Sequence, residues 1–369
     1  MSRNLGSIQP QRLKKLLRSL VDIYSPSGKE EEILHFLHGY LRRRGLSVLR
    51  QPVDDNRHNL LVMPREEDIR LAVIGHLDTV TAYDLDHYSS SEKGDMIRGL
   101  GTADMKGGCA AMVEAYLSYS LTGVSSPPVA LCLLVGEEEE GDGAERLVED
   151  FQIPWAIIGE PTDLMPCLSH YGYIEVQICA YGKRMHASLA DMKENPIQTM
   201  LRLILRISHY MEKKRPQLVY NIRDLFSSQT GFSVPDECEA WLDIHMPPST
   251  PIGEIASELE EIVALDKRDH THANAVLRTP TIDAGYELPE KGAIIEALQS
   301  VYAQRSLPWN PRAFRSHSDA NRLWAAGVKT ILLGPGSLAA AHTPNESVAF
   351  QQVCEAAQLY LDLFKTIAP

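Results

Sequence analysis

Apolar residues along this chain follow two rules that change near residue 170. Before it, and again after about 290, short uninterrupted apolar runs occur: Leu71-Ala72-Val73-Ile74, Leu131–Val135, Trp155–Ile158 and Thr330–Leu333. A run with no polar alternation is how a strand buried on both faces reads. Between these runs the spacing is helical. Ile33, Leu34, Leu37 and Leu41 form one stripe, preceded by Ser25-Pro26-Ser27-Gly28 and by Glu30, Glu31 and Glu32, and ended by Gly45. Acidic residues in a first turn suit the helix dipole, and the glycine suits its end. Residues 9–45 therefore read as two helices, with strands near 47–51 and 59–63 and helices near 106–119 and 143–150. Strands alternating with helices predict an α/β fold with a mostly parallel central sheet flanked by helices.

Past residue 170, Tyr173-Ile174-Glu175-Val176-Gln177-Ile178 alternates like a half-exposed strand, and Pro196–Lys213 has an amphipathic helical pattern. Thr230–Val234, the alternating strand Glu237–His245 and a helix over 252–264 follow. This pattern predicts a small ferredoxin-like α+β unit with one open sheet face. The first rule resumes with helices at 291–304 and 319–326, the strand at 330–333 and a last helix at 348–366. The simplest organisation is one α/β domain built from 1–170 and 285–369, with a smaller domain, 171–284, inserted.

Composition narrows the partners. A formal charge of −13 over 369 residues argues against nucleic acid or an anionic membrane as the main partner. The six cysteines include no C-x-x-C pair, so neither a zinc ribbon nor a redox pair is signalled. Cys132 and Cys179 fall inside apolar strands, where reduced buried thiols are expected. Arg3, Arg12, Lys14, Lys15 and Arg18 make the N-terminus basic without the apolar centre of a secretory signal, and no apolar stretch is long enough to span a bilayer. The expectation is a soluble, cytoplasmic protein.

The chemistry lies where apolar runs end. His76 follows the first run, with Asp78 two residues on, placed to hold the second ring nitrogen of a metal-binding imidazole. Asp104 lies in Gly99-Leu100-Gly101-Thr102-Ala103-Asp104-Met105-Lys106-Gly107-Gly108, ahead of a helix, where a cap would be the plain alternative. The glycines there lack the spacing of a phosphate-binding loop. Glu137-Glu138-Glu139-Glu140 follows Val135; four adjacent carboxylates read either as a solvated loop or as a cation site. Glu160 in Gly159-Glu160-Pro161-Thr162 and His342 in Ala341-His342-Thr343-Pro344-Asn345-Glu346 complete the series. Ligand sites of α/β sheets sit at the C-terminal ends of the strands. Two imidazoles with several carboxylates suit zinc, with cobalt or manganese as substitutes. One carboxylate can bridge two ions about 3.5–4 Å apart, and a spare one can accept a proton from water.

In this order, G-H-L-D-T-V, G-x-G-T-A-D-M-K-G-G, E-E, G-E-P-T and A-H-T-P-N-E, the motifs resemble those of the M20 family of metallohydrolases. The resemblance covers nearly the whole chain. It implies two zinc ions: His76, Asp104 and Glu160 on one, Asp104, Glu138 and His342 on the other, with Asp104 bridging and Asp78 orienting His76. It makes Glu137 the general base that activates water and later protonates the leaving amine. The register within Glu137–Glu140 is open by one residue, and Gly136 stands where an aspartate is frequent. The inserted domain becomes a lid that mediates a homodimer, and Gly182-Lys183-Arg184-Met185-His186-Ala187-Ser188 makes His186 an oxyanion stabiliser reaching the partner subunit's site. His245, in Asp243-Ile244-His245, replaces the arginine of a D-x-R motif; Arg278, Arg315 and Ser318 are the candidate substrate contacts. The expected activity is removal of an acetyl or succinyl group from a small amino acid such as ornithine, lysine, citrulline or diaminopimelate. The nearest alternative is a carboxypeptidase or dipeptidase using the same chemistry. A non-catalytic binding protein would have lost ligands or base, and none is lost.

Overall fold

Leu71–His76 is buried along its whole length because it has a strand on each side. It runs parallel to Val129–Leu134 and to Trp155–Ile158, and Lys329–Leu332 extends the parallel set beyond Trp155–Ile158. In this computed structural model, which describes residues 6–64, 69–85, 88–121, 128–229, 231–272 and 274–368, the chain divides into two compact units. The first comprises 1–169, 288–314 and 318–369, the second 170–287 and 315–317. Arg3 and Thr230 lie outside the described residues.

In the first unit the sheet runs in the order Leu49–Pro52, His58–Val62, Val129–Leu134, Leu71–His76, Trp155–Ile158, Lys329–Leu332, Cys167–His170. The four central strands are parallel, and the flanking strands pair antiparallel. This is the α/β architecture that the uninterrupted apolar runs predict. The helix Gly107–Ser120 is buried at every position but its last, so it reads as apolar all round rather than amphipathic. Its Tyr116 and Tyr119 rings meet Phe364 of the helix Phe350–Ile367 edge-on, both at 6.4 Å. Its start presses on the sheet: a Cβ at Gly108 would lie 2.1 Å from the carbonyl oxygen of Gly159. Only glycine permits that approach, which brings the Asp104 turn against the end of Trp155–Ile158.

The second unit is a sheet ordered Val219–Ser227, Glu237–Met246, Gly172–Tyr181, Asn274–Arg278, all antiparallel. One face packs Ile174, Val176, Ile178, Leu242 and Ile244 against Met200, Leu203 and Ile207 of the helix Pro196–Lys214 and Ile255 and Leu259 of Ile252–Asp269. Glu237–Met246 alternates buried and partly exposed residues almost perfectly, as its sequence pattern implies. Two details depart from expectation. Ile252–Asp269 continues beyond residue 264 because Asp266, although buried, is held by Arg202 at 2.8 Å, so the helix continues under an ion pair rather than an apolar stripe. Of the expected strand Thr230–Val234, the described residues form the pair Ser233–Val234, which meets Met185–His186. Among the described residues no helix is long and apolar enough to cross a membrane.

Candidate metal centre

His76, Glu137, Glu138 and Glu160 lie at or just past the C-terminal ends of parallel strands, while Asp104 comes from the turn before the helix Gly107–Ser120 and His342 from a loop beyond Lys329–Leu332. His76 is the last residue of Leu71–His76 and is 1% exposed. Its Nε2 lies 3.2 Å from Asp104 Oδ1, 3.7 Å from Glu137 Oε2 and 3.8 Å from Glu160 Oε1. The other ring nitrogen, Nδ1, is 3.0 Å from the backbone carbonyl of Asp78 and 3.6 Å from its carboxylate. An Nδ1–H donated to that carbonyl leaves Nε2 as the free donor atom facing the carboxylates. The Asp78 carboxylate meanwhile accepts from Ser27 Oγ at 2.6 Å and from the backbone N–H groups of Glu137 and Glu138 at 3.2 and 3.0 Å. One buried aspartate thus ties the His76 strand end to the turn that carries the glutamates. Ser27, which the sequence shows only as part of a helix-entry motif, is its third support.

On the other side of Asp104, His342 Nε2 lies 3.4 Å from Oδ2 and 3.0 Å from Glu138 Oε2. Asp104 therefore presents one carboxylate oxygen to each imidazole. His76, Asp104 and Glu160 form one group of convergent donors and Asp104, Glu138 and His342 another, the atoms of each lying within 4.8 Å of one another. Ligands at zinc bond lengths of about 2.0–2.1 Å stand roughly 3.4 Å apart in a tetrahedron. The observed separations of 3.0–3.8 Å straddle that value. Glu160 Oε1, buried and without a hydrogen-bond partner, points to the same fit. A further grouping, His76 with Glu137 and Glu138, is also close enough to share an ion. Glu139 and Glu140 are exposed, so the convergent glutamates are the first two of the run.

Burial, reinforced by the neighbouring carboxylates, pushes Glu137 and Glu160 well above the usual carboxylate range and raises Glu138. Burial opposes charge on His76, but Glu137, Asp104, Asp78 and Glu160 overcome it and hold the imidazole well above its ordinary value. His342 is raised to about 9, first by its bond to Glu138. Burial opposes charge on Asp104 too, but the imidazoles hold it below the usual range, and three glutamates whose ionised forms are disfavoured crowd around it, a repulsion that a divalent cation would relieve.

Asp319 belongs to this field as well. It is buried, raised to about 7 chiefly by burial, and adds to the repulsion on Glu137. Ser318 is buried beside it, capping the helix Asp319–Ala325 in a reciprocal box with Asn321. Gly136 has φ +76°, and a Cβ there would lie 2.1 Å from Asp142 Oδ1 and 2.8 Å from Arg57 Nη1. The Arg57–Asp142 pair fills the space that an aspartate at 136 would need.

The remaining sequence candidates lie in the second unit. His186 is exposed, its Nδ1 2.7 Å from Ser188 Oγ. Arg278 is exposed at the end of Asn274–Arg278, and the Arg315 guanidinium lies 5.7 Å over the Tyr171 ring. His245 packs against Tyr173 at 5.2 Å; its Nδ1 is buried without a hydrogen-bond partner, and burial lowers its pKa. A D-x-R arginine would be a fixed cation; here the position carries an imidazole biased to neutrality.

An acetylornithine deacetylase of Klebsiella pneumoniae is 28% identical over 358 residues, covering 90% of this chain and 91% of its own. A probable carboxypeptidase of Neosartorya fischeri is 25% identical over 385 residues, covering 94% and 85%. In fold, a tripeptidase from Staphylococcus aureus superposes with a TM-score of 0.80 at 21% identity, covering 98% of this chain and 99% of that one. Residues 72–366 match the family described as peptidase family M20/M25/M40, and that span holds every residue of the donor groups above, so the chain is a member of the M20 peptidase family.

Proposed function

We propose that this metal-dependent hydrolase of amide bonds removes an acetyl or succinyl group from the amine of a small amino acid such as ornithine, lysine, citrulline or diaminopimelate. The observation that carries the reading is Asp104 shared between two donor groups, with Glu137 beside them as a carboxylate outside both. The donor set suits two zinc ions, with cobalt or manganese as substitutes, and such ions would polarise the scissile carbonyl and make water acidic. Glu137 takes the proton from water and returns it to the leaving nitrogen. Its raised pKa brings it closer to neutrality, where a group can both accept and donate. Asp78 and Ser27 keep His76 and the glutamate turn in register during that exchange.

Arg278 and Arg315 are the cations assigned to the carboxylate end of the substrate. The acyl amino acid reading is supported by the deacetylase relative, which matches over nine-tenths of both chains. A carboxypeptidase or dipeptidase reading draws on the probable carboxypeptidase. A screen of N-acetyl and N-succinyl amino acids against dipeptides, with zinc and cobalt supplied, separates the two. Turnover confined to dipeptides would overturn the deacylase assignment.

The second unit is assigned the part of a dimerising lid. Its edge strand Val219–Ser227 exposes Val219, Leu225 and Phe226, which supports pairing with a second copy. In the dimer, the partner subunit's His186 donates to the oxyanion formed at the carbonyl. Changing His186 to Ala should lower kcat about 100- to 1000-fold, the cost of losing one oxyanion donor. Mixing that variant with a Glu137→Gln chain should restore part of the rate, because one hybrid site is then intact. No recovery after confirmed subunit exchange would place His186 outside the partner's site.

A further inference from the structure

The segment that carries His342 ends on a buried carboxylate to which the proposed chemistry gives no task. Glu346 is 4% exposed. Its Oε1 accepts the backbone N–H groups of Ala103 at 2.8 Å and Asp104 at 3.0 Å, and its Oε2 accepts that of Gly101 at 2.9 Å. Its own carbonyl accepts from Gly99 N at 3.1 Å, and the next residues, Ser347–Ala349, pair with Met96–Arg98. A single side chain thus gathers three donors of the turn that presents Asp104. A carboxylate receiving several backbone N–H groups makes charge-assisted bonds, stronger than neutral ones.

The His342 end of the same segment is held with equal care. His342 has φ +55°, a left-handed conformation that few non-glycine residues adopt and that persists where surrounding bonds enforce it. Its carbonyl accepts the Tyr83 hydroxyl at 2.8 Å. Glu346 N donates to Thr343 O at 3.1 Å, and Thr343 Oγ1 donates to Ala340 O at 2.8 Å. The distance from Glu346 to His342 is therefore set by local bonds, and that from Glu346 to Asp104 by the three N–H contacts.

We propose that Glu346, with Tyr83 on the outer side of the loop, is the positioning residue that fixes Asp104 relative to His342, so that the Asp104–Glu138–His342 group is assembled before an ion arrives. The inference rests on the two-metal reading above and assigns a role to residues outside both donor groups. Neither residue touches the reacting atoms. Both act through the backbone that aims the ligands, and the expected loss is that of outer-shell changes, roughly 10- to 100-fold in metal affinity.

The test is a cobalt titration of the full metal-free chain, followed by visible absorption and cross-checked by zinc competition, with melting of the metal-free protein as control. Wild type should bind two ions in two steps. Glu346→Gln turns an amide N–H donor toward backbone donors and should weaken the second step about 10- to 100-fold, with kcat falling more than KM changes. Glu346→Asp, which keeps the charge, should recover part of the loss. Tyr83→Phe should shift the same step by a smaller factor without moving the melting temperature. A Glu346→Gln protein that melts earlier yet binds both ions as wild type does would show a purely structural carboxylate and overturn the proposal. Should that variant fail to fold, Tyr83→Phe decides, since it removes only an exposed hydroxyl; an unchanged second step there overturns it as well. Wild type that binds no ion would instead sink the two-metal reading, a result separable from equal binding by wild type and variants.

Discussion

Glu137→Gln is expected to lower kcat by at least 10²- to 10⁴-fold, the usual contribution of a positioned proton acceptor, while the protein still carries two metal ions per chain. Gln keeps the size and the polar contacts of Glu but cannot take a proton from water. Both Glu137 and Glu138 lie within ligand separation of an imidazole, so metal content is what tells their roles apart. Glu138 Oε2 sits 3.0 Å from His342 Nε2, within the separation of two ligands on one ion, and so Glu138→Ala should lower metal content as well as rate. Glu137 Oε2 stands 3.7 Å from His76 Nε2, and the His76–Glu137–Glu138 grouping would make it a ligand instead. Metal analysis of Glu137→Gln separates these roles. Two retained ions with a lost rate assign the base; one lost ion makes Glu137 a ligand and hands the proton transfer to another group. Undiminished turnover removes Glu137 from the reaction altogether.

What could be read ahead of the structure follows from where burial is two-sided. Leu71–His76, Val129–Leu134 and Trp155–Ile158 are buried at nearly every position, so their sequences carry no polar interruption and their boundaries are legible to within a residue or two. Val219–Ser227 is an edge strand exposed at all but one residue, and Asn274–Arg278 is half-exposed on the opposite edge. Their apolar residues, Val219, Ile222, Leu225 and Phe226 in one and Ala275, Val276 and Leu277 in the other, follow no two-residue alternation, and the sequence pattern predicts neither strand. His76, Asp104, Glu138, Glu160 and His342, which the structure brings together, stand out in the sequence because each follows an apolar run or a glycine turn. Their supports do not. Ser27 reaches Asp78 across 51 residues of sequence, and Glu346 reaches Asp104 across 242, with no local pattern to announce either bond. Sequence reasoning favours Glu138 with the register open by one residue; in the folded turn Gly136 and Gly141 adopt positive φ and Glu139 and Glu140 are exposed.

Asp104→Asn is expected to be as damaging as loss of the base, because one carboxylate serves both imidazoles: Oδ1 lies 3.2 Å from His76 and Oδ2 3.4 Å from His342. An amide presents one weak acceptor oxygen and an NH2 group that repels a cation, so both binding steps should weaken by more than the roughly 100-fold upper figure for an outer-shell change. A chelator should reproduce the loss in wild type, and added zinc or cobalt should restore activity there but not in the variant at the same concentration. The proton balance offers an independent check. Without ions, burial and mutual repulsion raise Glu137, Glu138 and Glu160, and His342 is raised to about 9. His342, raised to about 9, holds a proton at neutral pH that an incoming cation must expel, and the raised glutamates keep theirs to higher pH than free carboxylates do. Binding should therefore release protons, and apparent affinity should fall as pH falls from about 8 to 6, within the window where the unperturbed imidazole also titrates. Calorimetry in buffers of different ionisation enthalpy measures that release directly. Ion binding with no proton release and no pH dependence would mean that the carboxylates already stand ionised, and the charge-crowded picture of this centre would have to be abandoned.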